Sequence, residues 1–144
     1  MKVLVTGASG QLGRELVLLL QQEGLEAVGL TRNELDLSGD AGAITAAIAD
    51  QRADWVVNCA AYTQVDKAES EPEVAYAVNR DAAGAVARGV RKAGGRLLQV
   101  STDFIFDGRQ STPYREDDHA EPLGVYGRSK YEGEQAVLDQ FPNA

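Results

Sequence analysis

Lys2-Val3-Leu4-Val5-Thr6-Gly7-Ala8-Ser9-Gly10-Gln11-Leu12-Gly13 is the stretch that decides the fold. Lys2 to Thr6 is a short run of mostly β-branched and aliphatic residues closed by Gly7, which reads as a buried strand. From Gln11 to Glu23 the leucines at 12, 16, 19 and 20 recur at helical spacing. Glycines at 7, 10 and 13 therefore occupy the turn between a strand and a helix. Bare backbone at such a turn lets a pyrophosphate approach the helix N-terminus, where free N–H groups and the helix dipole favour negative charge. A tight strand–helix turn without a ligand has the same look, so the glycines point to a nucleotide site only in combination with residues further along the chain.

Working outward, Gly24 stands where the helix should stop, and Glu26 to Leu30 reads as a second strand, completing a βαβ unit. Asp40 suits the cap of a helix through about Arg52, followed by a strand at Trp55–Asn58. Pro72 fits the first turn of a long helix to about Ala93, which Gly94-Gly95 ends before a strand over Arg96–Ser101. Asp103 to Gly124 reads as loop, and a final helix is predicted from about Val125 to Asp139. Alternating strands and helices imply an α/β fold of Rossmann type: a doubly wound parallel sheet in a three-layer α/β/α sandwich.

Bulk properties narrow the partners. The 144 residues are 44% hydrophobic and 25% charged, the make-up of a globular domain with a core of its own. A formal charge of -8 with no basic cluster argues against nucleic acid as a partner. No apolar run approaches the ~20 residues of a membrane span, and Met1 runs straight into the first strand instead of a cleavable leader, so the expected location is cytoplasmic. Cys59, the single cysteine, can form no internal disulfide and is expected as a buried thiol.

Tyr126 and Lys130 stand four residues apart at the start of the last helix, so both side chains project from one face. A tyrosine hydroxyl of ordinary pKa about 10 is a poor proton shuttle near neutrality, and a neighbouring ammonium improves it by favouring the phenolate. The pair alone also suits a plain surface helix. Ser101-Thr102-Asp103 follows the fourth strand at the sheet edge where open α/β folds place their ligand crevice. Thr102 can polarise a carbonyl there, or merely cap a turn. Asp103 is a candidate for orienting the substrate or the tyrosine. At the end of the second strand Thr31-Arg32 replaces the acidic residue that holds ribose hydroxyls in NAD enzymes, so Arg32 suits a 2′-phosphate unless it is a plain surface arginine. Asp36 and Leu37 fall where an adenine would lie, though Asp36 also reads as a solvated loop carboxylate. His119, Asp117-Asp118, Trp55 and Glu15 read as solvent-facing, solvated, core and helix-surface residues respectively, and no metal site is assigned.

The blocks Thr6–Gly13, Asn58-Cys59-Ala60-Ala61-Tyr62-Thr63 with Val65-Asp66-Lys67-Ala68-Glu69, Ala77-Val78-Asn79, Ser101–Gly108, and Pro113-Tyr114 through Lys130 occur in one order over essentially the whole chain. In these blocks the sequence resembles the dTDP-4-dehydrorhamnose reductase family of extended short-chain dehydrogenases. Small departures are Cys59 where alanine is usual and Phe104-Ile105 where Tyr-Val is commoner. The resemblance implies that Gly7, Ser9, Gly10, Gln11, Leu12 and Gly13 line a pyrophosphate, that Arg32, Asp36 and Leu37 hold the adenosine end, and that Ala60, Ala61 and Tyr62 flank the ribose and nicotinamide. Thr102, Tyr126 and Lys130, with Asp103 beside them, are the implied catalytic set. The implied reaction is reduction of the 4-keto group of dTDP-4-dehydro-L-rhamnose to dTDP-L-rhamnose with NADPH, NADH being the alternative cofactor. Family members carry a second, C-terminal lobe for the sugar nucleotide, so residues 1–144 are expected to be the nucleotide-binding part of a longer protein, inactive alone, and a homodimer is compatible with the reading. Two other functions share the motifs: a non-catalytic NADP-binding subunit resembling the methionine adenosyltransferase beta subunit, and a nucleotide-sugar epimerase or dehydratase.

Overall fold

The structure, a computed structural model, describes residues 1–142. Its sheet is built from β1 (Lys2–Thr6), β2 (Glu26–Leu30), β3 (Trp55–Asn58) and β4 (Arg96–Gln99), all parallel and ordered β2-β1-β3-β4. The chain leaves β1 for β2 on one side and returns for β3 on the other. That reversal creates a switch point between the C-terminal ends of β1 and β3, the place where open α/β sheets have room for a ligand. The Rossmann-type α/β/α arrangement predicted from the alternation is the observed one.

Around the sheet run α1 (Gln11–Gln22), α2 (Ala41–Asp50), the short α3 (Val65–Ala68) and α4 (Pro72–Tyr76), then α5 (Ala82–Ala93) and α6 (Val125–Leu138). Asp40 caps α2 by accepting from the Ala43 N–H at 2.8 Å, an interaction typically worth about 1 kcal/mol. Gly94, at φ 73°, closes α5 in the left-handed conformation. The core lies between the sheet and the α2/α5 pair, where Leu4 and Val56 meet Ile44, Ile48, Val86 and Val90. Those two helices approach closely because α5 is lined with small residues: a Cβ on Gly89 would stand 2.7 Å from the Thr45 carbonyl oxygen.

Three departures from the sequence reading have physical causes. The predicted helix over residues 72–93 is broken by a π-helical segment at Ala77–Asp81, so α4 and α5 are joined by a bulge and not by a regular turn. Leu12 and Leu19, two of the leucines at helical spacing, are 51% and 54% exposed, while Val17 of the same helix packs over Gly29 of β2, where a Cβ would stand 3.2 Å from its methyl group. On the same side of the sheet Leu98 stays exposed, and Trp55 is half-buried under the Arg96 guanidinium, 5.6 Å from its ring centroid, instead of sitting in the core. Among the described residues no helix is long and apolar enough to cross a membrane.

Candidate functional site

Gly7 ends β1 at φ 67°, and a Cβ there would stand 2.8 Å from the Ala60 backbone. The absence of that atom lets the first strand and the loop after β3 meet at the switch point. Gly13 is tighter still. Its missing Cβ would fall 2.4 Å from the Gly7 carbonyl oxygen, so the first turn of α1 folds directly onto the glycine loop. Gly10 caps α1 with no side-chain partner, and the free N–H groups of that turn remain available to an anion.

A cleft of about 830 Å³ opens above this turn. Gly7, Ser9, Gly10, Gln11, Leu12 and Gly13 form its floor, Arg32, Asp36 and Leu37 one end, and Ala60, Ala61 and Tyr62 a side wall; Tyr126 and Lys130 reach into it from α6. Segments far apart in sequence are therefore brought to one cavity of the size that holds a small-molecule cofactor. Thr102 and Asp103 do not line the cleft. The Thr102 hydroxyl accepts from the Phe104 N–H at 3.2 Å and caps a 3-10 turn at Asp103–Ile105, with Asp103 Oδ1 3.3 Å away. Ser101, its neighbour, lines the cleft instead and donates to Glu134 on α6.

The cleft also has wall residues that the sequence reading passed over. Glu71 accepts from Tyr62 Oη at 2.8 Å and pairs with Lys67 at 3.0 Å. Its carboxyl is held below the usual range, first by the Lys67 hydrogen bond and then by Tyr62. Burial, followed by the Glu71 hydrogen bond, raises the Tyr62 hydroxyl. Cys59 also faces the cleft; it is half-buried, and burial pushes its thiol up, away from the reactive thiolate. At the Arg32 end, Glu34 turns back to accept from Thr31 N–H at 2.7 Å and Thr31 Oγ1 at 2.9 Å. Arg32 stays 3.6 Å from Asp36, whose Oδ1 accepts from the Ser38 backbone and hydroxyl. The positive charge thus borders the cleft while the nearest glutamate is occupied with its own loop.

Helix α6 is placed by contacts from elsewhere in the chain. Its N-cap is Gly124, which offers no side chain, and Glu69 supplies the missing acceptor by taking the Val125 N–H at 2.7 Å. A Cβ on Gly124 would lie 2.8 Å from that carboxylate. Phe104 packs edge-on to Tyr126 with ring centroids 5.6 Å apart. Lys130 is 4% exposed, and its ammonium donates to the Val100 carbonyl at 2.5 Å. Gln99 reaches the same carbonyl at 3.0 Å and accepts from Asn58, which in turn accepts from Thr6. A hydrogen-bonded row thus runs along the strand ends from β1 to Lys130.

Burial lowers the pKa of Lys130, and the charge on Glu134 offsets part of the effect. A lysine depressed in the folded state binds fewer protons than the unfolded chain in the window between its lowered value and about 10.4, so its contribution to stability rises with pH through that window. Thermal melting of Lys130→Met against wild type checks this. The variant, relieved of a buried charge and leaving Val100 still paired to Gln99, is expected to melt no lower near pH 7, and wild type is expected to gain on it as pH approaches about 10.

A glycine cradle at the switch point of a parallel sheet, with a tyrosine–lysine pair entering the same cleft, defines a Rossmann-type nucleotide-binding domain of the short-chain dehydrogenase pattern. The chain belongs to the dTDP-4-dehydrorhamnose reductase family, and the family profile described as "RmlD substrate binding domain" matches residues 1–144. It is 49% identical over 140 residues to a dTDP-4-dehydrorhamnose reductase of Streptomyces griseus, a match covering 97% of this chain and 46% of that protein. The crystal structure of a dTDP-4-dehydrorhamnose reductase from Clostridium acetobutylicum superposes with a TM-score of 0.93 at 36% identity, over 99% of this chain and 50% of that one. The enzyme of that name from Bacillus anthracis, solved in complex with NADP, gives 0.91 at 35% identity, over 96% and 49%. The chain thus spans about half the length of the relatives it matches. Among the described residues no group of three or more His, Cys, Asp or Glu side chains is arranged to hold a metal ion.

Proposed function

We propose that this chain is the cofactor-binding part of an NADPH-dependent reductase that converts the 4-keto group of dTDP-4-dehydro-L-rhamnose to the hydroxyl of dTDP-L-rhamnose. The observation that carries the reading is the entry of Tyr126 and Lys130 into the cleft floored by the glycine turn. Gly7 and Gly13 let β1, the loop after β3 and the first turn of α1 pack so closely that a Cβ at either would strike backbone, and this packing brings the uncapped α1 N-terminus to the cleft floor, where a pyrophosphate would be held. The residues present therefore fit a dinucleotide. When bound, it supplies the hydride.

The protein's own part is to hold the ends and move one proton. Ala60, Ala61 and Tyr62 line the cleft wall and would flank the reactive end, and Asp36 with Leu37 lines the cleft where the adenine would lie. Lys130, pinned to Val100 and lining the same cleft as Tyr126, would hydrogen-bond the ribose and supply positive charge on that side of the cleft. Tyr126 gives its proton to the substrate oxygen as negative charge develops there. Thr102 and Asp103 stand beyond the cleft lining on the adjoining 3-10 turn, where the Thr102 hydroxyl can turn from Asp103 towards the sugar's oxygen. The relatives are about twice as long as the span they share with this chain, and the remaining sugar-nucleotide contacts would come from the part of such a protein that this chain does not cover; the reaction is expected in the cytoplasm.

Arg32 supports the choice of NADPH, since it is released towards a 2′-phosphate by breaking only a long, exposed pair with Asp36. Arg32→Ala is expected to weaken NADPH binding about tenfold, equivalent to about 1.4 kcal/mol, while leaving NADH within about twofold. Fluorescence titration of both cofactors checks it. The function itself is tested by following NADPH oxidation by the complete gene product with dTDP-4-dehydro-L-rhamnose. Oxidation matched by dTDP-L-rhamnose formation supports the reading. A folded protein that binds NADPH and consumes none with this sugar overturns it in favour of a non-catalytic subunit.

A further inference from the structure

Glu69 is an exposed carboxylate whose place in the fold is set from both sides. Ala68 before it is fully buried, and Glu71 after it is held by the Tyr62 hydroxyl and the Lys67 ammonium. Its own N–H closes the end of α3 on the Asp66 carbonyl at 3.3 Å. Residues 60–63 line the cleft and lead directly into α3, so Glu69 rides on the segment that forms that wall. Glu69 itself is not among the residues lining the cleft.

The amide it takes, Val125 N–H, belongs to the first turn of α6, where no intrahelical acceptor exists. Gly124 has the extended backbone of an N-cap, φ -110° and ψ 172°, and the Glu69 carboxylate fills the space a side chain there would use. The cap of α6 is therefore borrowed from α3. The other side of the same turn is held as closely: Gly127 packs on the Phe104 carbonyl with no room for a Cβ, and the Phe104 ring meets Tyr126 edge-on. Tyr126 thus stands between a residue tethered to α3 and a residue seated on the 3-10 turn after β4. One turn further along, Lys130 has its own anchor at the Val100 carbonyl. The start of α6 and the lysine are held separately, so the phenol can shift while the ammonium stays.

We infer that Glu69 is a positioning residue: by capping α6 from the cleft wall, it fixes how far the Tyr126 hydroxyl reaches into the cleft. The effect on turnover rests on the reductase reading, whereas the tether between α3 and α6 does not. A cap supplied by residue 124 itself would stabilise the helix equally well but would leave its first turn free to move against the wall. That difference separates positioning from plain stability.

The test uses the complete gene product with Glu69→Gln, Glu69→Ala and Glu69→Ala/Gly124→Ser, reading melting temperature, NADPH affinity, kcat with the nucleotide sugar, and hydrogen exchange of the Val125 amide. Glutamine keeps an acceptor oxygen, so its kcat and Val125 exchange are expected within about twofold of wild type. Alanine is expected to speed Val125 exchange about tenfold and to lower kcat about tenfold, with NADPH affinity within about twofold because the glycine turn and Lys130 are untouched. Serine at 124, placed in the room the carboxylate leaves, accepts from the second or third N–H of the helix and not from Val125. The double variant is expected to recover the wild-type melting temperature while its kcat stays about tenfold low. An alanine kcat within about twofold of wild type, a glutamine variant as slow as alanine, or a double variant that regains kcat overturns the inference. If wild type reduces no 4-keto nucleotide sugar, the proposed function fails separately, and the tether is judged on Val125 exchange. Faster exchange in alanine but not in glutamine then supports it, and unchanged exchange in alanine overturns it.

Discussion

Tyr126→Phe in the complete gene product is expected to lower kcat by about 100-fold or more while NADPH affinity and melting temperature stay near wild type. The substitution removes one oxygen and keeps the ring, so the edge-on contact with Phe104 survives, as do the Ser129 and Lys130 hydrogen bonds, which use backbone and neighbouring atoms. What disappears is the hydroxyl proposed to donate to the developing oxyanion. A loss of 100-fold corresponds to about 2.7 kcal/mol of transition-state stabilisation, ordinary for a general acid. A loss smaller than about tenfold would mean that the proton comes from elsewhere, with water or the Thr102 hydroxyl the first groups to examine. Steady-state kinetics of the purified variant, with circular dichroism to confirm its fold, decides between them.

Gly13→Ala attacks the other end of the site. Its methyl group would sit 2.4 Å from the Gly7 oxygen, 2.9 Å from the Gly7 carbonyl carbon and 3.0 Å from Ala8 Cα, all backbone atoms that no rotamer change can move. The first turn of α1 must lift away from the glycine loop, at a cost typical of overpacking, about 1–3 kcal/mol. Lifting that turn also displaces the free N–H groups meant for the pyrophosphate. The expected result is a melting temperature lowered by several degrees and NADPH binding weakened about 100-fold. Fluorescence titration and thermal melting measure the two together. An alanine variant that binds NADPH as wild type does would show that the loop is not the pyrophosphate cradle.

These two residues were open to sequence reasoning because their signals are local. Gly13 belongs to a strand–turn–helix of twelve residues, Lys2 to Gly13, and Tyr126 and Lys130 share a helix face by spacing alone. Every cleft residue named from the glycine loop, the second strand's end and the loop after β3 does border one cavity, although the sequence could show only that each segment ends at the same side of a sheet. What the periodicity hid depends on partners far along the chain. Glu69 looks like a surface carboxylate of a short helix until Val125, 56 residues on, is seen donating to it. Asn79 sits inside an apparently regular helix, and an inserted π residue leaves no mark on a 3.6-residue pattern. The leucines of α1 misled for a related reason: helical spacing marks an apolar stripe but not how much of it the sheet covers, and Leu12 and Leu19 remain half exposed. Thr102 shows the limit from the chemical side. A hydroxyl at a strand end suits both a turn cap and a carbonyl partner, and the bond to Phe104 N–H shows it in the first role.

Whether this cleft brings a reduced nicotinamide to a ketone beside Tyr126 is decided by isotope transfer. The complete gene product is given NADPH carrying deuterium at the transferred C4 position, with dTDP-4-dehydro-L-rhamnose, and the product is read by mass spectrometry and proton NMR. One deuterium is expected at sugar C4, stoichiometric with NADPH oxidised, with the transfer slowed about 100-fold or more in Tyr126→Phe. Product without the label, or label found at another carbon, would contradict it.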